Sequence, residues 1–105
     1  AGGVRIEEPA ADLAIALAVH SALIGTAVPP DLAVCGEVGL GGEVRSVAHI
    51  ARRLAEAQRL GFTRALVPPS TPDGPSGLRV LRVPTLAAAF ASVATSATTA
   101  AAMEG

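Results

Sequence analysis

The chain has 105 residues, is half apolar, is 16% charged and carries a net charge of -1, a balance that suits one small folded domain and argues against intrinsic disorder. Alanine supplies 23 residues, so close packing of small side chains must stand in for bulk. A single Cys35 excludes an internal disulfide and a multi-cysteine metal site, the apolar run Leu13 to Val19 is far short of a bilayer span, and the absence of lysine excludes any mechanism that needs an amine side chain.

Val4 to Ile6 reads as a short strand. No basic segment followed by an apolar stretch stands at the start, so no signal peptide is read there and the cytoplasm is the default compartment. Glu7-Glu8-Pro9 opens a first helix: proline suits the first helical position, and the acids Glu7, Glu8 and Asp12 complement its positive end. The helix is predicted to run to about Leu23, before Gly25 and Pro29-Pro30. Its interior is apolar all round, which predicts a helix held between a sheet and another element. His20 has no His, Cys or carboxylate three or four residues onward, so it reads as a packed or half-exposed ring.

Leu32 to Cys35 is a second strand, and Glu37 to Arg45 alternates around Gly41-Gly42 as a hairpin does. Ser46 is positioned to cap a second helix whose apolar positions are Val47, Ile50, Leu54 and Ala57, with Gly61 ending it. Arg64 to Val67 and Leu78 to Val83 are strands, separated by Pro68-Pro69 and a polar loop. Pro84 starts a final short helix with Leu86, Phe90 and Val93 on one face. Residues 1–91 form the expected domain, and the Ala, Thr and Ser of 92–105 read as a frayed tail with too little bulk to offset ordering entropy. The order β-α-β-β-α-β-β-α predicts an α+β domain, a mixed sheet with helices packed on it.

Charge is distributed unevenly. Arg45, Arg52, Arg53, Arg59 and Arg64 face only Glu56 between positions 45 and 64, a local +4, while the remainder of the chain carries -5. Arg52 and Arg59, seven residues apart, share one side of the second helix, with Arg45 at its approach and Arg53 adjacent. Such a stripe can face phosphate, a neighbouring subunit or solvent. Glu56, four residues from Arg52, is placed to pair with it. Only Phe62 and Phe90 could stack on bases, so recognition by stacking is not expected, and a salt-sensitive phosphate contact is the most that the domain predicts.

The hairpin Gly36-Glu37-Val38-Gly39-Leu40-Gly41-Gly42-Glu43-Val44-Arg45, followed by Arg52 to Ala57 and Leu60-Gly61-Phe62, resembles the Lon proteolytic domain, a ribosomal protein S5 domain 2-like fold. In that register Ala10 stands where Lon has its nucleophilic serine and Ala51 where it has the catalytic lysine. Asp73-Gly74-Pro75-Ser76-Gly77 is similar to the Lon serine motif but falls in a loop leading into a strand with no lysine as base, so Ser76 reads as a turn residue. With Gly2 to Ala14 added, and Glu8-Pro9-Ala10-Ala11-Asp12-Leu13-Ala14 most telling, residues 2 to 90 resemble the C-terminal Lon-like domain of the RadA (Sms) family of bacterial DNA repair ATPases.

The resemblance implies a fragment lacking its N-terminal part. Its parent would carry ATP, Mg and Zn sites in preceding regions; the fragment itself would hold no cofactor and no metal. It implies a homo-hexameric ring, contact with the DNA backbone during ATP-driven branch migration in homologous recombination, RecA as a further partner, and no membrane. The alternative is an oligomerisation or partner-docking scaffold that touches no DNA; an active Lon-type serine peptidase is a distant third.

Overall fold

Arg64 to Val67 has a continuous apolar stretch, the pattern of a strand covered on both faces, and it lies at the centre of a three-stranded parallel sheet. The structure is a computed structural model that describes residues 9–104; the predicted strand Val4 to Ile6 lies outside them. A 3-10 turn Pro9–Ala11 leads into α1 (Asp12–Ile24), followed by β1 (Leu32–Val34), β2 (Glu37–Val38), β3 (Val44–Arg45), α2 (Ile50–Arg59), β4 (Arg64–Val67), β5 (Arg79–Arg82) and α3 (Leu86–Glu104). β4 pairs with β1 through Leu32–Arg64, Ala33–Ala65 and Val34–Leu66, and with β5 through Arg64–Arg79 to Val67–Arg82. β2 and β3 form a separate antiparallel hairpin, so the expected mixed sheet is divided in two.

Side-chain alternation sorts the parallel sheet into two cores. Leu32 and Leu66 pack with Leu13 and Leu17 of α1 and Ala89 and Val93 of α3. On the opposite face Ala65 and Val67 pack with Leu54 of α2 and Leu78, flanked by Ala33, Phe62 and Val80. The result is a mixed α/β domain of three layers. His20 of α1 stacks on Phe90 of α3, with ring centroids 4.0 Å apart and planes 6° from parallel, which is the packed ring expected from its lack of ligand neighbours.

Two helices depart from expectation. α1 buries only one stripe, Leu13 and Leu17, while Ile15, Val19 and Leu23 remain 41%, 55% and 81% exposed. Sheet and α3 cover one side of the helix, and no described element covers the other. α2 begins at Ile50, not at Ser46. His49 occupies the cap position in a left-handed conformation (φ 60°) and gives no side-chain cap bond, while the Ser46 hydroxyl is engaged with that of Ser70. Val47 therefore lies before the turn Ala48-His49 that leads into the helix.

The predicted stops and starts are otherwise local chemistry. Gly61 adopts φ 98°; its N–H donates to the Gln58 carbonyl (3.1 Å) and the Phe62 N–H to that of Ala57 (3.0 Å), a Schellman ending. Thr85 caps α3, its hydroxyl accepting the Ala88 N–H at 3.1 Å. α3 continues to Glu104, past Ser92 where composition placed the end of a short helix. Alanine's high helix propensity accounts for the extension.

Candidate nucleic-acid interface

α2 is strongly two-sided. Leu54 is buried against the sheet, and Arg52, Glu56 and Arg59 project from the exposed side. The backbone rise places Arg52 and Arg59 about 10 Å apart along the helix. Their environments differ. The Arg59 Nη2 donates to both Glu56 oxygens at 2.6 and 2.7 Å, and its Nε reaches one of them at 3.2 Å. Glu56 therefore pairs with Arg59 and not with Arg52, contrary to the sequence expectation. The Arg52 side chain makes no hydrogen bond or ion pair with any described residue, which leaves its fork of donors facing solvent.

The flanking arginines are restrained differently. The Arg45 Nη2 lies 3.0 Å from the Glu43 carboxylate, which also accepts the Gly41 N–H at 2.9 Å. Glu43's own backbone N–H, then Arg45 and the Gly41 N–H, hold that carboxyl below its usual range. The same carboxylate lies over Gly39, where a Cβ would collide with it. The Arg53 Nε donates to the Ala48 carbonyl at 3.0 Å, fixing it along the turn that precedes α2. Of the four candidate arginines, Arg45 and Arg59 thus carry matched charge, and Arg52 is the one most able to engage an outside anion.

Beside this face, a groove of about 650 Å³ runs between the start of α1, β1 and α2. Ala10 and Ala14, Ala33 and Cys35, and Arg52 and Arg53 are among its walls. Ala10 is 5% exposed; its carbonyl accepts the Gly36 N–H at 3.0 Å, and the Leu13 N–H donates to the Gly36 carbonyl at 3.0 Å. Ala51 is exposed on the first turn of α2 and does not line the groove. Both positions carry only methyl groups, which offer neither a nucleophile nor a base. Ser76 sits exposed in the loop before β5, its carbonyl accepting the Gln58 Nε2 at 3.3 Å. Among the described residues no group of three or more His, Cys, Asp or Glu is placed to hold a metal ion, and no helix is long and apolar enough to cross a membrane.

The run-based reading of charge missed a cluster at the opening end of the parallel sheet. Asp31 bonds Arg64 through both oxygens (2.8 Å each) and also accepts the Thr63 hydroxyl at 2.7 Å. Those bonds, Arg64 first, hold the Asp31 carboxyl well below the usual carboxylate range, and Asp31 in turn raises Arg64. The signal was present in the sequence: Asp31 immediately precedes β1 and Arg64 begins β4, so parallel pairing brings them together.

A family model described as "Subunit ChlI of Mg-chelatase" matches residues 1–71. The chain is 51% identical over 78 residues to the DNA repair protein RadA of Mycolicibacterium smegmatis, covering 74% of this chain and 17% of that protein. It is 50% identical over 76 residues to the DNA repair protein RadA of Bacillus subtilis and 53% identical over 70 residues to that of Aquifex aeolicus, covering 70% and 67% of this chain and 16% of each relative. The chain thus spans about a sixth of the length of the curated relatives that it matches.

Proposed function

The chain belongs to the family described as subunit ChlI of Mg-chelatase and is a fragment of a RadA-type DNA repair protein, and on that premise we propose that it is a non-proteolytic, Lon-like module that contacts the DNA backbone and helps to assemble a ring. Its role is non-enzymatic, in keeping with that membership and with Ala10 and Ala51 at the two reacting positions. The work of a parent ATPase, with ATP, Mg and Zn sites elsewhere, would be branch migration in homologous recombination in the cytoplasm, as a homo-hexamer and with RecA as a partner. Within the fragment, residues 1–91 would be the functional domain, with the start of 92–105 packed on it through Val93 and the rest an appendage.

The observation that carries DNA contact is Arg52: exposed, unbonded among the described residues, and placed on the same helix face as Arg59. Planar guanidinium donors suit phosphate oxygens, and the shortage of aromatic side chains argues for backbone contact without base reading. The stripe Ile15, Val19 and Leu23, which no described element covers, supports a docking face for a subunit or for the rest of the parent. That stripe, together with the matched charges of Arg45 and Arg59, also favours a second reading, a scaffold that touches no DNA. Filter binding of duplex DNA in low and high salt separates the two. A phosphate-binding face retains DNA at low salt and releases it at high salt; a scaffold retains none at either. A fluorogenic peptide assay is expected to show no cleavage, and cleavage that survives purification but vanishes in Ser76→Ala would revive the peptidase.

A further inference from the structure

Parallel register sets Arg64 of β4 directly beside Arg79 of β5 on the same face of the sheet. Like charges so placed repel, and each calls for a counter-charge. Among the described residues one is supplied. Asp31 immediately precedes β1, on the far side of β4 from β5, and its two oxygens are committed to Arg64 and Thr63. The Arg79 side chain makes no hydrogen bond or ion pair with any described residue; only its backbone N–H is engaged, donating to the Thr63 carbonyl at 2.9 Å.

The two arginines line a recess of about 390 Å³ together with Leu81 of β5 and with Ala88, Ala91, Ser92 and Thr95 of α3. Among the described residues no carboxylate lines this recess. It combines a guanidinium with no counter-charge among the described residues, a second one oriented by Asp31, and two hydroxyl-bearing side chains, a set that suits an acceptor-rich anion. We propose that this recess is a seat for a phosphate group, with Arg79 as its principal ligand, Arg64 beside it, and the Ser92 and Thr95 hydroxyls donating from α3. The seat does not depend on α2 or on the DNA role assigned to Arg52. A phosphate on a small molecule and a phosphate in a nucleic-acid backbone present the same oxygens to it.

The test follows the arginine Nε–H signals of the isotopically labelled 105-residue chain by NMR during titration with inorganic phosphate, at constant ionic strength maintained with chloride. Phosphate should shift the Arg79 signal saturably. Arg79→Gln should weaken binding at least about tenfold, as expected for loss of a charged hydrogen bond, and Ser92→Ala should weaken it severalfold with an unchanged melting temperature. Arg52→Ala should leave it within about twofold, since Arg52 does not line the recess. No saturable shift at Arg79, or equal affinity in Arg79→Gln, overturns the seat. Short duplex DNA is then added to the phosphate-loaded chain. Displacement of phosphate at Arg79 identifies backbone phosphate as the natural occupant, and persistence of the phosphate signal identifies a phosphorylated small molecule. A chain that binds phosphate at Arg79 but no DNA at all defeats the DNA role of α2 and leaves the seat standing.

Discussion

Replacing Glu56 by Gln should make DNA binding more sensitive to salt. In the native chain Glu56 holds Arg59 through contacts of 2.6 to 3.2 Å, so the guanidinium brings no net charge to the exposed face of α2. Both side chains are well exposed, Arg59 at 74% and Glu56 at 48%, so the pair contributes no more than about 0.5 kcal/mol to stability and its loss leaves the fold intact. What changes is the number of cations free to displace counterions. One further phosphate contact steepens the dependence of log K on log salt by about 0.9. Between 50 and 200 mM salt that amounts to an additional loss of affinity of about 3.5-fold. Filter binding to one duplex across this range measures it, and Arg59→Ala in the Glu56→Gln background should restore the native slope. A slope unchanged in Glu56→Gln, or a steeper slope that survives removal of Arg59, would refute the assignment of Arg59 as a phosphate cation held in check by its neighbour.

Two further outcomes concern the scaffold that presents this face. A Cβ at Gly36 would stand 3.0 Å from a Val44 methyl and 3.2 Å from a Leu13 methyl, both in the core, so Gly36→Ala should destabilise the domain by about 1 to 3 kcal/mol in urea unfolding; native stability would show that the contact between the start of α1 and the hairpin is loose. Asp31 has a lowered pKa in the fold, so the stability it confers is complete above its unfolded value of about 3.9 and falls as acid protonates it. With Asp31 40% and Arg64 24% exposed, solvent screening limits that contribution to about 1 kcal/mol. Asp31→Asn should therefore lower stability at pH 7 and flatten its decline below about pH 4; an acid decline identical to that of the native chain would contradict this.

Most element positions were legible because their signals are local. Gly41-Gly42 announces a hairpin, Gly61 a helix stop, and the spacing of Ile50, Leu54 and Ala57 a helix with one buried side. The start of α2 was not, because Ser46 looks like a cap and only the tertiary contact with Ser70 shows its hydroxyl engaged elsewhere. The surroundings of α1 were misread for a related reason: an all-apolar sequence states that cover is wanted, not that this stretch of chain provides it. At the candidate site, counting charge along the chain located the arginines but not their partners. Glu56 stands within helical reach of both Arg52 and Arg59, and side-chain geometry decided for Arg59. Arg79 went unnoticed because it lies outside the basic run and meets Arg64 only through strand register.

The most direct measurement is the salt dependence of duplex DNA binding by the chain with Arg52→Ala beside the native chain. If the exposed face of α2 holds the DNA backbone, the substitution weakens binding for every duplex sequence alike and flattens the log K against log salt slope by about 0.9, the signature of one lost phosphate contact. An unchanged slope with unchanged affinity would mean that Arg52 touches no phosphate, and would move the function of this domain from DNA contact to scaffolding.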